Sequence, residues 1–183
     1  IAAFDVIWGP VTKGKGSALT QISIFGCAFT RHIVPNHILS ASPPNVPAAY
    51  EKRTILVKKL NMIPYEFIVR GYMFGSLWKE HQMFGNYHGK KYQLAEKLTE
   101  PVLTPQAKNG AGHDENISME RLRQELGLEE AEKIRNICMM LYKTCAAHAL
   151  QKGILLADTK FEFGYDSNGT LTLADEIFTP DSS

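Results

Sequence analysis

ILLADTKFEFGYDSNGTLTLADEIF, residues 154–178, is the stretch from which the fold is predicted. Runs rich in apolar residues lie on both sides of Asp166-Ser167-Asn168-Gly169. Asn-Gly between two such runs is the strongest short-range signal of a β-hairpin. The sequence therefore predicts two antiparallel strands, over residues 154–165 and 170–178.

The first of these strands has one charged face. Because side chains alternate faces along a strand, Asp158, Lys160 and Glu162 share a face, and the residues between them form an apolar one. A two-residue turn would place Glu162 opposite Asp175, and a four-residue turn would place Lys160 opposite it. Both registers put Asp175 on the charged face and Glu176 on the other, whereas a three-residue turn would reverse this arrangement.

Three carboxylates and one lysine on a single sheet face are suited to bind a divalent cation together with phosphates. Carboxylate oxygens are ligands for Mg²⁺, which usually keeps water and phosphate ligands as well. A lysine supplies a point charge for a phosphate. The alternative is a solvated sheet face crossed by salt bridges. Apolar residues flank the charged run and favour the binding site, because charge without a ligand is costly there.

A second candidate site follows a strand predicted over residues 64–70. The segment Arg70-Gly71-Tyr72-Met73-Phe74-Gly75-Ser76 ends that strand with an arginine and brings a serine to a helix predicted over residues 76–83. Free N–H groups at a helix N-terminus bind anions, and arginine adds a bidentate contact to phosphate. We expect Arg70 and Ser76 to form a phosphate cradle. The alternative is a helix cap with a surface arginine.

Two further loops are weaker candidates. Lys13-Gly14-Lys15-Gly16 precedes a predicted helix and could approach a phosphate, but it lacks the full P-loop pattern. Residues 112–118, Gly-His-Asp-Glu-Asn-Ile-Ser, gather polar groups immediately before Ser118, a candidate helix N-cap. Polar clusters in loops favour binding over packing.

The remaining segments complete an α+β fold with antiparallel sheets. Apolar residues at helical spacing predict helices over residues 17–32 and 128–152. A further strand is predicted over residues 53–59, followed by a short link at residues 61–63. The polar, proline-containing stretch 86–111 is expected to be a long ordered loop, and such loops are usually functional.

Composition excludes several classes of protein. The 183 residues include 44% hydrophobic and 21% charged residues, which indicates a globular rather than a disordered chain. A formal net charge of +1 argues against broad binding to nucleic acid or to an anionic membrane. The sequence contains no run of about 20 apolar residues, nothing at its start is typical of a signal peptide, and its three scattered cysteines suit a reducing compartment. We therefore expect a cytoplasmic protein without a nucleic-acid or membrane partner; a homo-oligomer is compatible with the sequence.

Several of these motifs together resemble the SAICAR synthetase family. The matching segments follow one another in the family's order: Ala3-Phe4-Asp5-Val6, Gly14-Lys15-Gly16, and residues 57–71, 75–80, 112–118, 157–164 and 175–183. Each match alone is modestly specific, whereas the set spans essentially the whole chain and is highly specific. The resemblance implies a two-lobed α+β fold related to ATP-grasp enzymes and protein kinases. Residues 1–60 would form the lobe that covers ATP, and residues 61–183 the larger lobe that binds substrate and metal.

The resemblance also implies a reaction of de novo purine synthesis. In this reaction ATP drives the joining of the carboxylate of carboxyaminoimidazole ribonucleotide (CAIR) to the amine of L-aspartate, which gives SAICAR, ADP and phosphate. ATP is the co-substrate, Mg²⁺ the cofactor, and CAIR and L-aspartate the other small-molecule partners. Because a carboxylate is a poor electrophile, we expect the carboxylate to be activated as an acyl phosphate.

Functional residues are implied by the resemblance position by position. Glu162 and Asp175 would hold Mg²⁺. The catalytic residues would be Asp158, close to the reacting carboxylate, and Lys160, near the ATP phosphates. These implied roles agree with the binding site predicted from the charged face.

The other implied roles concern substrate binding. Arg70 and Ser76 would hold the ribonucleotide phosphate, in agreement with the predicted cradle. Asp114 would help to position CAIR or aspartate, and Lys15 would also contact substrate. The link from Lys58 to Met62 would border the adenine of ATP, as a hinge does between lobes.

The largest departures from the family pattern are at the two ends of the sequence. The family places a lysine-rich, glycine-containing strand pair before the Ala3-Phe4-Asp5 segment, and an arginine and closing helices after Asp181-Ser182-Ser183. Neither is in this sequence, so we expect it to be the middle of a longer enzyme. Two alternatives stay open: a nucleotide-binding or regulatory domain that has lost activity, and a different ATP-using enzyme of kinase-like fold. The retained charged motif, with Arg70 and Ser76, argues against loss of activity.

Overall fold

A computed structural model of the chain describes residues 12–87, 89–108 and 115–183. These residues contain four α-helices: α1 Lys15–Thr30, α2 Gly75–Phe84, α3 Met119–Leu126 and α4 Leu128–Gln151. They contain eight strands: β1 Ile38–Ser40, β2 Leu56–Val57, β3 Asn61–Met62, β4 Tyr65–Tyr72, β5 Lys97–Ala107, β6 Glu115–Asn116, β7 Asp158–Tyr165 and β8 Leu171–Ala174. The three predicted helices are confirmed as α1, α2 and α4. None of the described helices is both long enough and apolar enough to span a bilayer.

The strand β7 organises the main sheet. It pairs with β3, β4 and β8, while β5 pairs with β4 and the short β6 pairs with the end of β5. β1 and β2 form a separate two-stranded ribbon. All of these strand pairings are antiparallel, so the predicted α+β fold with antiparallel sheets is confirmed.

The turn between β7 and β8 is longer than the two-residue and four-residue turns from which the strand register was predicted. Glu162 pairs with Ala174, so the turn spans the five residues 166–170. The Asp166 carboxylate accepts hydrogen bonds from two N–H groups within the turn, at 2.9 and 3.0 Å, which stabilises this wider form. The expectation that strand pairing would place Asp175 opposite Glu162 or Lys160 is therefore wrong, because an odd-numbered turn shifts the pairing by one residue.

The stretch predicted as a loop over residues 86–111 contains β5, the longest of the described strands. The loop prediction is wrong for residues 97–107, which pair with β4. Pro101 and Pro105 argue against a strand because proline lacks an N–H donor. β5 accommodates them because its second edge is paired with β6 only at its last two residues, and open edges tolerate proline.

The strand predicted over residues 53–59 is much shorter in the structure. Only Leu56 and Val57 form β2, and they pair with the three-residue β1 across an irregular register. This short partner limits the pairing, and residues 51–53 form a 3-10 turn instead. The link predicted at residues 61–63 is itself largely a strand, because β3 pairs with β7.

The core lies between the sheet and the helices α1 and α4. The apolar face of β7 contributes Phe161 and Phe163, which are fully buried, and fully burying a phenylalanine side chain stabilises the fold by roughly 1.5–3 kcal/mol. The stripe of α4 that faces them is formed by the buried residues Ala131, Ile134, Cys138, Leu141, Tyr142 and Cys145. Cys27 and Val34 join the same cluster. Segments from both predicted lobes thus share one core, and the division at residues 60 and 61 stays a prediction.

Candidate active site

Arg70 and Asp158 form an ion pair at one end of the central strands. They are register partners on β4 and β7, and Nη1 of Arg70 donates to Oδ2 of Asp158 at 2.8 Å. Nε of Arg70 donates to Oγ1 of Thr104 at 3.2 Å. Burial lowers the pKa of Arg70, and the Asp158 charge opposes this effect. Arg70 nevertheless remains charged, because an arginine side chain is not deprotonated in proteins. The pair holds a fixed cationic fork beside a carboxylate.

The first turn of α2 lies against this guanidinium. Gly75 has a φ of +61°, and a Cβ placed on it would lie 3.3 Å from Nη1 of Arg70. The N-cap is Phe74, whose side chain makes no capping bond, so the alternative of a capping Ser76 with a surface arginine does not describe this site. Ser76 lines a cavity of about 430 Å³ that Thr104, the partner of Arg70, also lines. Helix N–H groups beside an arginine are the elements of an anion site.

Farther along β7, the Lys160 ammonium lies among three carboxylates. Its Nζ contacts Oε1 of Glu162 at 2.8 Å, Oδ2 of Asp175 at 3.0 Å and Oε1 of Glu66 at 3.3 Å. A second lysine, Lys108, binds Oε2 of Glu162 and lies 3.9 Å from Glu66. These five residues are termed the Lys160 cluster. Its three carboxylates outnumber its two ammonium groups, so one net negative charge remains to attract a cation.

Three groups of the Lys160 cluster have pKa values shifted by burial and by their charged neighbours. Burial acts to lower the pKa of Lys160, but Glu162 and Asp175 outweigh it and raise the pKa above its ordinary value. Burial acts to raise the pKa of Asp175, but the Lys160 charge outweighs it and holds the pKa below its ordinary value. At Glu66 burial prevails over the lysines and raises the pKa. Asp175 and Lys160 therefore both remain ionised at neutral pH.

Asp175 reaches Lys160 through a backbone turn rather than through strand alternation. β8 ends at Ala174, and it is Ala174 that lies opposite Glu162. Asp175 then adopts a φ of +57°, a left-handed conformation that costs about 1–3 kcal/mol for a residue with a side chain. This turn directs the carboxylate back to Lys160. The predicted charged cluster forms, but by a different geometry from the one expected.

Glu162 and Asp175, the predicted metal ligands, present oxygen atoms to one point, the Nζ of Lys160. Mg²⁺ commonly binds one or two carboxylates and completes its coordination with water and substrate phosphates. Among residues 12–87, 89–108 and 115–183, no group of three or more His, Cys, Asp or Glu side chains is arranged to hold a metal. The pair therefore fits a cation that a phosphate also coordinates.

The residues predicted to border adenine lie at the other end of β7 from the Arg70–Asp158 pair. Met62 pairs with Gly164 on β7, where a Cβ would lie 2.9 Å from a carbonyl oxygen of β3, so this close approach requires glycine. Nζ of Lys58 lies 3.7 Å from Oδ2 of Asp166. The Lys160 cluster lies between this segment and the ion pair.

Lys15 approaches the site through the C-terminal turn. Its Nζ lies 2.9 Å from Oδ2 of Asp181, and the carbonyl oxygen of the next residue, Ser182, accepts a hydrogen bond from the N–H of Lys160 at 2.9 Å. Within the described residues, Lys15 forms its ion pair with Asp181 and does not contact the Lys160 cluster. Asp114 lies outside the described residues, so its role stays a prediction.

Glu66, Thr104 and Lys108 belong to the site, although the sequence reasoning did not select them. Glu66 and Arg70 are four residues apart on β4 and share a face, so alternation within the predicted strand was a usable signal for Glu66. Thr104 and Lys108 lie in the stretch predicted as a loop. Their placement depends on the long-range pairing of β5 with β4, which no local pattern indicates.

Comparison with known sequences identifies the family. The sequence model of SAICAR synthetase matches residues 1–183. The chain belongs to the SAICAR synthetase family. Its relatives include phosphoribosylaminoimidazole-succinocarboxamide synthases of Methylibium petroleiphilum, 48% identical over 193 residues, and of Polaromonas naphthalenivorans, 47% identical over 193 residues. These alignments cover 100% of this chain but 64% and 63% of the two relatives, so the chain spans less than two thirds of their length.

Solved structures of SAICAR synthetases share the fold. The SAICAR synthase from Saccharomyces cerevisiae complexed with SAICAR superposes with a TM-score of 0.84 at 37% identity, over 100% of this chain and 66% of that one. A SAICAR synthetase in complex with ADP superposes with a TM-score of 0.78 at 30% identity, over 97% of this chain and 70% of that one. The SAICAR synthetase-like fold implied by the sequence motifs is confirmed.

Proposed function

We propose that the chain carries the ligase activity of its family, in which ATP drives the joining of CAIR and L-aspartate to SAICAR. The observation that carries this proposal is the order of groups along β7. Asp158 with its partner Arg70, then Lys160, then Glu162 follow one another on one face of a single strand. This order suits a reaction in which a ribonucleotide binds at one end, ATP binds at the other, and the reacting groups meet between them.

The ribonucleotide phosphate binds between Arg70 and the first turn of α2. Arg70 is buried, with 7% of its surface exposed, and its two hydrogen bonds preorganise the guanidinium. The N–H groups of the α2 terminus and the Ser76 hydroxyl complete the cradle. Hydrogen bonds between arginine and phosphate are charge-assisted and stronger than neutral ones.

The ATP phosphates bind at the Lys160 cluster, with adenine against the segment from Lys58 to Met62. When bound at Glu162 and Asp175, Mg²⁺ supplies neutralisation of the phosphate charge. Lys160 exchanges a carboxylate partner for a phosphate oxygen, and its raised pKa keeps it charged throughout. The SAICAR synthetase solved in complex with ADP supports a nucleotide site in this family.

The chemistry has two steps. One oxygen of the CAIR carboxylate attacks the γ-phosphorus of ATP, and the bond between that phosphorus and the β,γ-bridging oxygen breaks. ADP departs, and the CAIR carboxylate has become an acyl phosphate. The ammonium group of aspartate releases one proton to water, and the free amine attacks the carbonyl carbon. Phosphate leaves with the former carboxylate oxygen and takes up the second proton from the nitrogen. Phosphoryl transfer depends on positioning and charge neutralisation more than on covalent help from the protein. Asp158 lies beside the reacting carboxylate, where its charge attracts the ammonium group of the incoming amino acid.

Substrate dependence of ADP release tests this proposal. The protein is purified at the full length of its relatives and incubated with ATP and Mg²⁺, and CAIR and aspartate are added together or singly. Sustained ADP release is expected only with both substrates. Binding of ATP without release under any condition would favour a domain that has lost activity, and release driven by another acceptor would favour a different kinase-like enzyme. Either result would contradict the proposal.

We also place the protein in the cytoplasm. Cys27, Cys138 and Cys145 are buried free thiols, and burial raises the pKa of Cys27 and of Cys145 to about 12. Thiols of this kind are unreactive packing groups and suit a reducing compartment. Cell fractionation followed by immunodetection tests the location, and recovery in a membrane or secreted fraction would contradict it.

A further inference from the structure

Tyr142 on α4 contacts β4, which carries Arg70, and the segment that leads into β7, which carries Asp158. The side chain is buried, with 4% of its surface exposed, and its hydroxyl donates to the carbonyl oxygen of Leu156 at 2.7 Å. Leu156 lies two residues before Asp158, in the segment between α4 and β7. The bond therefore holds the chain at the point where it enters β7.

The same hydroxyl lies against Gly71, the residue that follows Arg70. A Cβ on Gly71 would lie 1.9 Å from the hydroxyl oxygen of Tyr142 and 2.7 Å from its Cζ, so the contact requires glycine at this position. The N–H of Gly71 donates to the carbonyl oxygen of Ala157 at 2.9 Å. One phenol thus packs against the backbone next to both partners of the ion pair.

The first residues of the segment that enters β7 are exposed, whereas Leu156 packs partly buried against the core. Ile154 and Leu155 are 62% and 57% exposed, so their side chains contribute little to fixing the backbone. The hydrogen bonds to Leu156 and Ala157 fix the backbone there, together with the packing of Leu156. Burial, together with Tyr72 and Asp158, raises the pKa of Tyr142 to about 12, so the hydroxyl keeps its proton and its donor role at neutral pH.

We propose that Tyr142 is a positioning residue, which holds Arg70 and Asp158 opposite each other so that the guanidinium is directed at the ribonucleotide phosphate. The inference rests on the proposed function, because the phosphate concerned is that of CAIR. Tyr142 itself touches no substrate in this arrangement. It acts through the backbone on either side of the pair.

The variant Tyr142→Phe removes one oxygen and keeps the ring in the core. Its matched control is Tyr165→Phe, which removes a hydroxyl that donates to Glu130 at 2.9 Å from the opposite end of β7. Loss of one buried hydrogen bond is expected to raise the KM for CAIR about five- to tenfold in Tyr142→Phe. The KM of Tyr142→Phe for ATP is expected to stay within about twofold of the wild-type value. Tyr165→Phe is expected to change neither the KM for CAIR nor the KM for ATP.

A second readout does not depend on turnover. The Nε–H of Arg70 donates to Thr104, and its NMR signal is assigned by its loss in Arg70→Lys. This proton should exchange with solvent faster in Tyr142→Phe than in the wild type, and at the wild-type rate in Tyr165→Phe. The measurement is made on the full chain without ligand.

The two readouts separate the possible failures. If Tyr142→Phe lowers thermal stability but keeps the wild-type KM for CAIR and the wild-type Arg70 exchange rate, Tyr142 is only structural and the inference is overturned. If the wild type has no ligase activity while Arg70 exchange accelerates in Tyr142→Phe alone, the proposed function fails and the positioning role stands. If the wild type is inactive and the Arg70 exchange rate is unchanged in Tyr142→Phe, both the proposed function and the positioning role are overturned.

Discussion

Lys160 and Asp175 form a 3.0 Å ion pair even though the hairpin register places Ala174, and not Asp175, on the face of Lys160. The φ of +57° at Asp175 makes the contact by turning the chain as it leaves β8. Strained backbone of this kind concentrates at functional sites. Here it occurs at a residue proposed to hold a metal ion, which links an unusual local conformation to a specific chemical role.

Replacing Asp175 by asparagine should abolish Mg²⁺-dependent turnover while the fold remains intact. The amide keeps the shape of the side chain but loses its negative charge, so it binds a cation far more weakly, and we expect activity to fall about 100-fold or more. ADP release as a function of Mg²⁺ concentration, together with thermal unfolding, checks this. Glu176→Gln is the matched control, because Glu176 binds Thr179 at 2.8 Å instead of the Lys160 cluster. An unfolded Asp175→Asn protein would instead indicate a structural role.

Asp175 should also make the free energy of unfolding decrease at acidic pH. Its pKa lies below the ordinary value of 3.8 in the folded chain, so its ionised form stabilises the fold above that pH. This contribution is lost as the pH falls through the folded pKa. The free energy of unfolding should be larger for the wild type than for Asp175→Asn at neutral pH, and the difference should shrink as the pH falls below the ordinary carboxyl pKa of 3.8 and through the lower folded value. Denaturant titrations at several pH values measure it, and a difference that widens in acid would contradict the expected sign.

Local alternation was sufficient to predict the charged face of β7 and the buried face behind it. It was not sufficient to predict the partners of that face. Glu66 reaches Lys160 because Ile68 pairs with Lys160 across β4 and β7, and Lys108 reaches Glu162 only once β5 pairs with β4. Such pairings join residues far apart in sequence, and no local pattern specifies them.

The alternative interpretation of this face, a sheet surface crossed by salt bridges, describes the observed side-chain contacts well. Lys160 and Lys108 are both paired with carboxylates. The two interpretations are compatible, because phosphate oxygens are able to replace carboxylates at a lysine while a cation takes up the freed carboxylates. The prediction that Asp175 lies close to Lys160 and Glu162 was right, but the predicted strand register was wrong. The five-residue turn moves Asp175 off the charged face, and its left-handed backbone conformation turns the carboxylate back toward that face.

Arg70→Lys should impair binding of the ribonucleotide more than binding of ATP. Lysine cannot reproduce the planar fork that contacts Thr104 and Asp158 together, so we expect the KM for CAIR to rise about 10- to 100-fold, with little change in the KM for ATP. Steady-state kinetics with each substrate varied in turn measure the two values. Arg123→Lys is the control, because its partner Glu132 is on the helical surface. Equal effects on both KM values would contradict a role confined to the ribonucleotide end.

Gly71→Ala should destabilise the chain, because its Cβ would overlap the Tyr142 hydroxyl. Overpacking of this kind costs about 1–3 kcal/mol, measured as a loss in the free energy of unfolding by denaturant titration. Gly16→Ala is the control: Gly16 is in α1, and its nearest side-chain contact would be Cδ of Arg53 at 3.6 Å, an ordinary distance. Alanine should be neutral or stabilising there. A neutral Gly71→Ala would show that Tyr142 moves freely and would weaken the positioning role.

The transfer of labelled oxygen tests the central claim, activation of the CAIR carboxylate by ATP, most directly. CAIR labelled with ¹⁸O in its carboxylate is converted with ATP, Mg²⁺ and unlabelled aspartate, and the phosphate released is analysed by mass spectrometry. The two-step chemistry predicts one carboxylate oxygen in each phosphate and one retained in the amide of SAICAR. Phosphate that carries no label, with SAICAR formed at the same rate, would contradict the claim.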